Sequence, residues 1–164
     1  MSIPQSGGGQ IENINQLAEY LESGCKPKTD WRIGTEHEKF GYNKNTLKPL
    51  PYEGRCSVKV MLEGLRDQFQ WAPVYEKDNL IGLEKNGANV SLEPGGQLEL
   101  SGAPLEIIHE TCDETNLHLS EVKKVADEIG AGFIGLGAAP EWSHEDMDMM
   151  PKGRYRLMTD YMGK

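Results

Sequence analysis

The chain has few cysteines, no excess of basic charge and no long apolar run, and each absence excludes a class. Cys25, Cys56 and Cys112 are odd in number and form no C-x-x-C pair. No secretory signal precedes them, which argues against a disulfide framework, and a reducing, cytoplasmic setting is expected. Cys112 falls on the apolar stripe of a predicted helix and is expected to pack there. His109, His118 and His144 have no zinc spacing with the cysteines. The formal net charge of −9 argues against nonspecific nucleic-acid binding. No apolar segment approaches the ~18 residues of a membrane span. Internal repeats are absent, as is a phosphate loop of the G-x-x-x-x-G-K type. Hydrophobic residues make up only 37% of the 164 positions, which suits a domain with a rich polar site or a piece of something larger.

What is present is an ordered run of short elements. Residues 1–10 read as a flexible start. Ile11, Ile14, Leu17, Ala18 and Leu21 recur at helical spacing, and Gly24 and Pro27 end that helix. Residues 31–42 read as a strand. Ser57 is a good N-cap for a helix carrying Val58, Met61, Leu62, Leu65 and Phe69. Residues 80–85 and 88–93 read as a hairpin closed by a type I′ turn at Asn86-Gly87, with Leu83 opposite Val90 and Ile81 opposite Leu92. Pro104 is expected to open a helix that runs to about Ile129, with Ile108, Cys112, Thr115, Leu119, Val122, Ala126 and Ile129 on its buried stripe and Gly130 as its stop. Residues 132–138 read as a buried strand and 141–151 as a loop. Tyr155, Leu157, Met158, Tyr161 and Met162 look like a helix being started, with Gly163 as its sole stop signal, so the chain is expected to be truncated. The fold class is α+β: an antiparallel sheet with helices packed on one face.

Four glutamates carry the chemistry. Side chains alternate along a strand, so Glu36 and Glu38 share a face at ~6–7 Å spacing. Gln97 and Glu99 share a face too, and Glu93 joins them if the Pro94-Gly95-Gly96 step keeps the parity. Clustered carboxylates repel and need a compensating cation. Hard divalent metals prefer oxygen ligands and bridge to nucleotide phosphates, so the acidity need not repel a nucleotide. The competing reading is a solvated sheet face. His37 lies between two acids, points to the other face and is expected to be a core histidine or one that supports the site from behind. Trp31, Trp71 and Trp142 are expected to pack, and the Met147–Met150 run is expected to be a loop rather than a soft-metal site.

The stretches Gly34-Thr35-Glu36-His37-Glu38-Lys39-Phe40-Gly41, Leu92 to Leu105 and Pro151-Lys152-Gly153-Arg154-Tyr155 resemble, in order and spacing, three signatures of glutamate–cysteine ligases of the plant and proteobacterial type. The resemblance runs from about residue 12 onward. It implies the N-terminal portion of a glutamine synthetase-like catalytic domain over residues 11–164, with the remainder of the parent chain completing it. It further implies ATP-dependent joining of the L-glutamate γ-carboxylate to the amine of L-cysteine through a γ-glutamyl phosphate, the first step of glutathione biosynthesis. A related ligase with another amine acceptor and a non-catalytic metal- or ligand-binding fragment are the alternatives. On the resemblance, Glu36, Glu38, Glu93 and Glu99 would hold Mg2+, with ATP as co-substrate. Arg154 would serve catalysis, and Gln97, Arg154 and Arg156 would bind substrate, because arginine offers a bidentate fork to carboxylate or phosphate. Gly95-Gly96 would let backbone approach a ligand. Metals and arginines hold phosphates in that fold, so the missing glycine loop does not count against it. The 164-residue segment by itself is expected to be inactive.

Overall fold

The computed structural model describes residues 9–139 and 141–162. The expected flexible start falls mostly outside these residues, as does the Gly163 stop signal. Six antiparallel strands form one sheet in the order β2-β3-β4-β5-β1-β6: β1 (Glu36–Asn43), β2 (Ala72–Glu76), β3 (Asn79–Lys85), β4 (Ala88–Leu92), β5 (Leu98–Ser101) and β6 (Ala131–Ile134). Helices α2 (Val58–Phe69) and α3 (Ile108–Ile129) cover one face, α1 (Ile14–Glu22) precedes the sheet, and α4 (Gly153–Met162) follows it. The α+β reading therefore holds.

The strands form where period-two alternation meets good turn residues. Asn86 and Gly87 both adopt positive φ, 53° and 84°, and close a hairpin with Lys85 opposite Ala88 and Leu83 opposite Val90. The ladder ends at Gly82 opposite Ser91. Ile81, expected opposite Leu92, is instead the extra residue where β3 shifts register against β2. Ser57 caps α2, its hydroxyl accepting from Val60 N–H at 3.3 Å. Leu83, Val90, Leu92, Leu98 and Leu100 from the sheet meet Met61, Leu62, Leu65, Val122 and Val125 from the helices in one core. Gly64 makes this packing close: a Cβ there would collide with Val125 Cγ1.

Several expectations are corrected. Helix α3 starts at Ile108 rather than Pro104, because Ile33 and Leu105 exchange backbone hydrogen bonds of 2.7 and 2.9 Å that hold the chain extended. Glu110 then caps the helix, accepting from the N–H groups of Glu106 and Ile107. Its buried face centres on Thr111, His118, Val122 and Val125, so Cys112 is exposed rather than packed, and Ile108 is 58% exposed. Gly130 ends the helix in the left-handed region, as expected. The strand expected over 132–138 is confined to Ala131–Ile134, and β1 begins at Glu36 rather than residue 31. Trp31 is 61% exposed and hydrogen-bonds Lys26 O instead of packing, whereas Trp71 is buried. Helix α1 forms behind the N-cap Asn13, yet none of its residues is buried.

Candidate active site

The opposite face of the sheet gathers the acids. Glu38 stands directly opposite Glu99, and Glu99 opposite Ser91. Glu36 stands opposite Ser101. Leu92 pairs with Leu98, and Glu93 N–H donates to Gln97 O at 2.9 Å, so Glu93 and Gln97 face each other one step beyond. The parity therefore survives the Pro-Gly-Gly step. It survives because a turn closed by Gly96 N–H on Glu93 O (2.9 Å) is followed by Gly96 at φ 83°, a conformation glycine adopts without strain. Gly95 and Gly96 are approached by the protein's own Met147 and Met150, whose sulfur-bearing ends lie within 3.1 Å of where a Cβ would sit.

Like charges directly opposite across a ladder destabilise a sheet. Glu38 and Glu99 are so placed, and Glu93 registers the crowding: burial first, then Glu99 and Glu38, raise its carboxyl above the ordinary 4.5. Lys152 and Arg154 act on Glu93 in the opposite sense. Ser91 Oγ donates to Glu99 Oε2 at 3.1 Å. All the donors are carboxylate oxygens, the chemistry a hard divalent cation selects. Among the described residues, no three of His, Cys, Asp and Glu converge as a finished metal cage. A bound ion would therefore draw further ligands from water or phosphate, as magnesium does.

Helix α4 supplies the cations. Its start is stitched to the Glu93 turn: Met150 N–H donates to Pro94 O (2.9 Å), Lys152 Nζ to Leu92 O (2.6 Å) and Tyr155 Oη to the same Leu92 O (2.6 Å). Arg154 lies over the Tyr155 ring, 5.0 Å from its centroid, and an Nη donates to Tyr155 Oη at 3.3 Å. Arg156 is exposed and lines an open cleft of about 650 Å3 with Glu76, Lys77 and Arg154. Gln97 lines a second cleft of about 780 Å3, and its buried Oε1 has no hydrogen-bond partner.

Sequence reasoning missed two buried lysines. Lys152 is 3% exposed, and burial lowers its ammonium to about 8. Lys39 is 2% exposed on the helix side of β1 and is likewise lowered by burial to about 8, with Glu99 and Glu38 opposing the shift. Its Nζ donates to His37 Nδ1 (3.1 Å) and His37 O (3.0 Å). His37 thus lies on the face away from the acids, as expected, and burial followed by Lys39 lowers its pKa. The signal for Lys152 was in the sequence: a lysine ahead of a helix start opposes the dipole and needs another reason to be there.

A family model for glutamate–cysteine ligase family 2 matches residues 32–164. The chain belongs to that family. It is 54% identical over 148 residues to a chloroplastic glutamate–cysteine ligase of Medicago truncatula, and 53% identical to ligase A of Oryza sativa subsp. japonica and to the Arabidopsis thaliana enzyme, both also chloroplastic. Each match covers 90% of this chain but only 28–30% of the relative, so the chain spans less than a third of their length. The cytoplasmic setting expected from the cysteines does not stand, since these relatives are chloroplastic. Unpaired cysteines speak to redox state and carry no compartment address. Cys25, Cys56 and Cys112 are all free thiols here.

Proposed function

We propose that this chain forms part of an ATP-dependent ligase that joins the γ-carboxylate of L-glutamate to the amino group of L-cysteine, the first step of glutathione biosynthesis. The observation that carries the reading is the facing of Glu38, Glu99 and Glu93 on one side of the sheet, with Arg154 acting on Glu93 from the start of α4.

A carboxylate is a poor electrophile. In the proposed reaction a γ-carboxylate oxygen attacks the terminal phosphorus of ATP, and ADP leaves. The cysteine nitrogen then attacks the acyl carbon of the γ-glutamyl phosphate, loses a proton, and expels phosphate that carries the former carboxylate oxygen. Glu36, Glu38, Glu93 and Glu99 fit Mg2+ by donor type, and a bound ion would supply neutralisation of phosphate charge. Arg154 would steady the anionic group nearest Glu93, with Arg156 at the cleft mouth. Gln97 offers an unpaired carbonyl oxygen to a substrate ammonium. The sheet itself would fold within a glutamine synthetase-like catalytic domain, with the remainder of the parent chain completing the nucleotide and acceptor contacts. The 164 residues alone would not turn over.

The test is label transfer in the full-length protein. With L-glutamate carrying oxygen-18 in its γ-carboxylate, one labelled oxygen per turnover is expected in the released phosphate, together with γ-glutamylcysteine. Unlabelled phosphate, or no dependence on cysteine, would defeat this reading. Turnover with a different amine would move the protein to a ligase with another acceptor.

A further inference from the structure

On the side of the sheet away from the acids, a cleft of about 500 Å3 lies between β1, the edge strand β6 and the second half of α3. Lys39, Lys44 and Lys123 line it, and Asp127 is the one carboxylate among its lining residues. Asp127 bridges two of the lysines, accepting from Lys44 Nζ at 2.8 Å and from Lys123 Nζ at 2.7 Å. The bridge gathers two ammonium groups at one rim, and a single carboxylate cannot neutralise both. Lys39 forms part of the wall and is 2% exposed. Its ammonium donates to His37 Nδ1 at 3.1 Å and to His37 O at 3.0 Å. An ammonium has three N–H groups, so His37 satisfies two of them, and neither acceptor carries charge. Among the described residues, no carboxylate forms an ion pair with Lys39. A buried charge is costly unless a counter-charge meets it. Three lysines against one aspartate make this cleft positive by two charges, in a chain whose formal net charge is −9. Leu119, Val122 and Phe133 supply an apolar part of the lining. Tyr42 lies across Gly132, where a Cβ would collide with its ring, and brings a hydroxyl to the same space.

We propose that this cleft is a second binding site, on the reverse of the acidic face, for a phosphate monoester: the phosphate meets Lys39, Lys44 and Lys123, and the organic body lies against Leu119, Val122 and Phe133. The surplus of two positive charges matches a dianion. Lysine holds phosphate as a point charge, without the flat two-point geometry by which arginine selects a carboxylate. The volume falls within the roughly 300–1,000 Å3 of small-molecule sites, and the apolar wall gives the ester's body a surface that a bare phosphate would leave unused. The site does not rest on the ligase reading, because its residues lie behind the sheet and none of them belongs to the acidic cluster.

The experiment is isothermal titration of the full-length protein with phenyl phosphate and, separately, inorganic phosphate. It is run at about pH 7.5, where a phosphate monoester is a dianion, and in EDTA, so that the metal-free acids repel the ligand from the other face. The proteins are wild type, Lys39→Met, the double variant Lys44→Gln/Lys123→Gln, and Asp127→Asn. Wild type is expected to bind phenyl phosphate at least about tenfold tighter than inorganic phosphate, because the ring buries apolar surface. Lys39→Met is expected to weaken phenyl phosphate by about tenfold or more, the effect of removing one buried unit charge. The double variant is expected to weaken it about three- to tenfold, since its charges are exposed. Asp127→Asn is expected to act in the opposite sense and tighten binding about two- to fivefold, because it removes the one anion at the rim. Should Lys39→Met fail to fold, the exposed double variant and Asp127→Asn decide the matter. Phenyl phosphate that does not bind wild type, or binds all the folded variants alike, would overturn the proposal. Inorganic phosphate binding as tightly as phenyl phosphate would overturn the assignment to an ester. A full-length protein without cysteine-dependent turnover would defeat the ligase reading and leave these titrations as they stand.

Discussion

His118 is the site where a single substitution reads the interior most directly. It is 2% exposed on the sheet side of α3, packs edge-on against Trp71 at 6.4 Å, and neither ring nitrogen has a hydrogen-bond partner. Burial, with Lys39 and His37 adding repulsion, lowers its pKa from the ordinary 6.5 to about 3. Glu114 and Glu121 line the same cavity, of about 70 Å3, together with Lys85. The folded state therefore keeps His118 neutral while the unfolded state takes up a proton below its ordinary value. Stability is full above the unfolded pKa and falls as the pH drops from 6.5 toward 3. At about 1.4 kcal/mol per pH unit, the loss between about pH 7 and pH 5 is about 2 kcal/mol. Lys39 and Lys152 do not contribute over that range, because their lowered values of about 8 leave both charged throughout. In His118→Leu this part of the pH dependence is expected to vanish, while stability near pH 7 stays level or rises by about 1 kcal/mol as unpaired polar atoms are removed. Urea unfolding followed by tryptophan fluorescence at both pH values would measure the difference. Equal losses in wild type and variant would refute the reasoning, as would a His118 ring that titrates by NMR near its ordinary value.

Other consequences are as direct. Gly64→Ala is expected to destabilise the chain by about 1–3 kcal/mol, because the collision with Val125 outweighs the ~1 kcal/mol helix-propensity gain, and thermal unfolding would show it. Trp71 Nε1 donates to Glu121 Oε2 at 2.7 Å, and Lys85 Nζ to Glu121 Oε1 at 3.2 Å; Glu121→Ala would leave both donors without that acceptor, for an expected loss of about 3 kcal/mol in urea unfolding. Glu93 has a raised pKa, so its charge opposes folding above that value. Metal-free Glu93→Gln is therefore expected to melt at a higher temperature near neutral pH while binding Mn2+ at least about tenfold more weakly. A variant both less stable and unchanged in Mn2+ affinity would remove Glu93 from the site.

The acidic face was legible because its determinants are local. Period-two alternation and the Asn86-Gly87 and Pro94-Gly95-Gly96 turns set the register from a few adjacent residues, and that register places Glu38, Glu99 and Glu93 on one face of the sheet. Helix α3 was less legible. Its buried face carries Thr111, His118 and Glu121, and the partners that make polar burial tolerable, such as Trp71 and Lys85, are distant in sequence. An apolar-stripe reading therefore turned the helix toward Cys112 and Leu119. Lys39 was hidden for the same reason: lysines are normally solvent-facing, and only the folded chain shows the His37 groups that hold it. Helix α1 was found from its periodicity, but periodicity does not say what an apolar stripe will meet.

The central claim is that the Glu38–Glu99 pair is a working metal site rather than a solvated sheet face. ADP release by the full-length protein with ATP, magnesium and glutamate, with and without cysteine, tests it most directly in wild type, Glu38→Gln and Glu99→Gln. The account predicts cysteine-dependent turnover that falls by at least about a hundredfold in both variants, the loss of several kcal/mol of charge stabilisation. Turnover unchanged in both would contradict it.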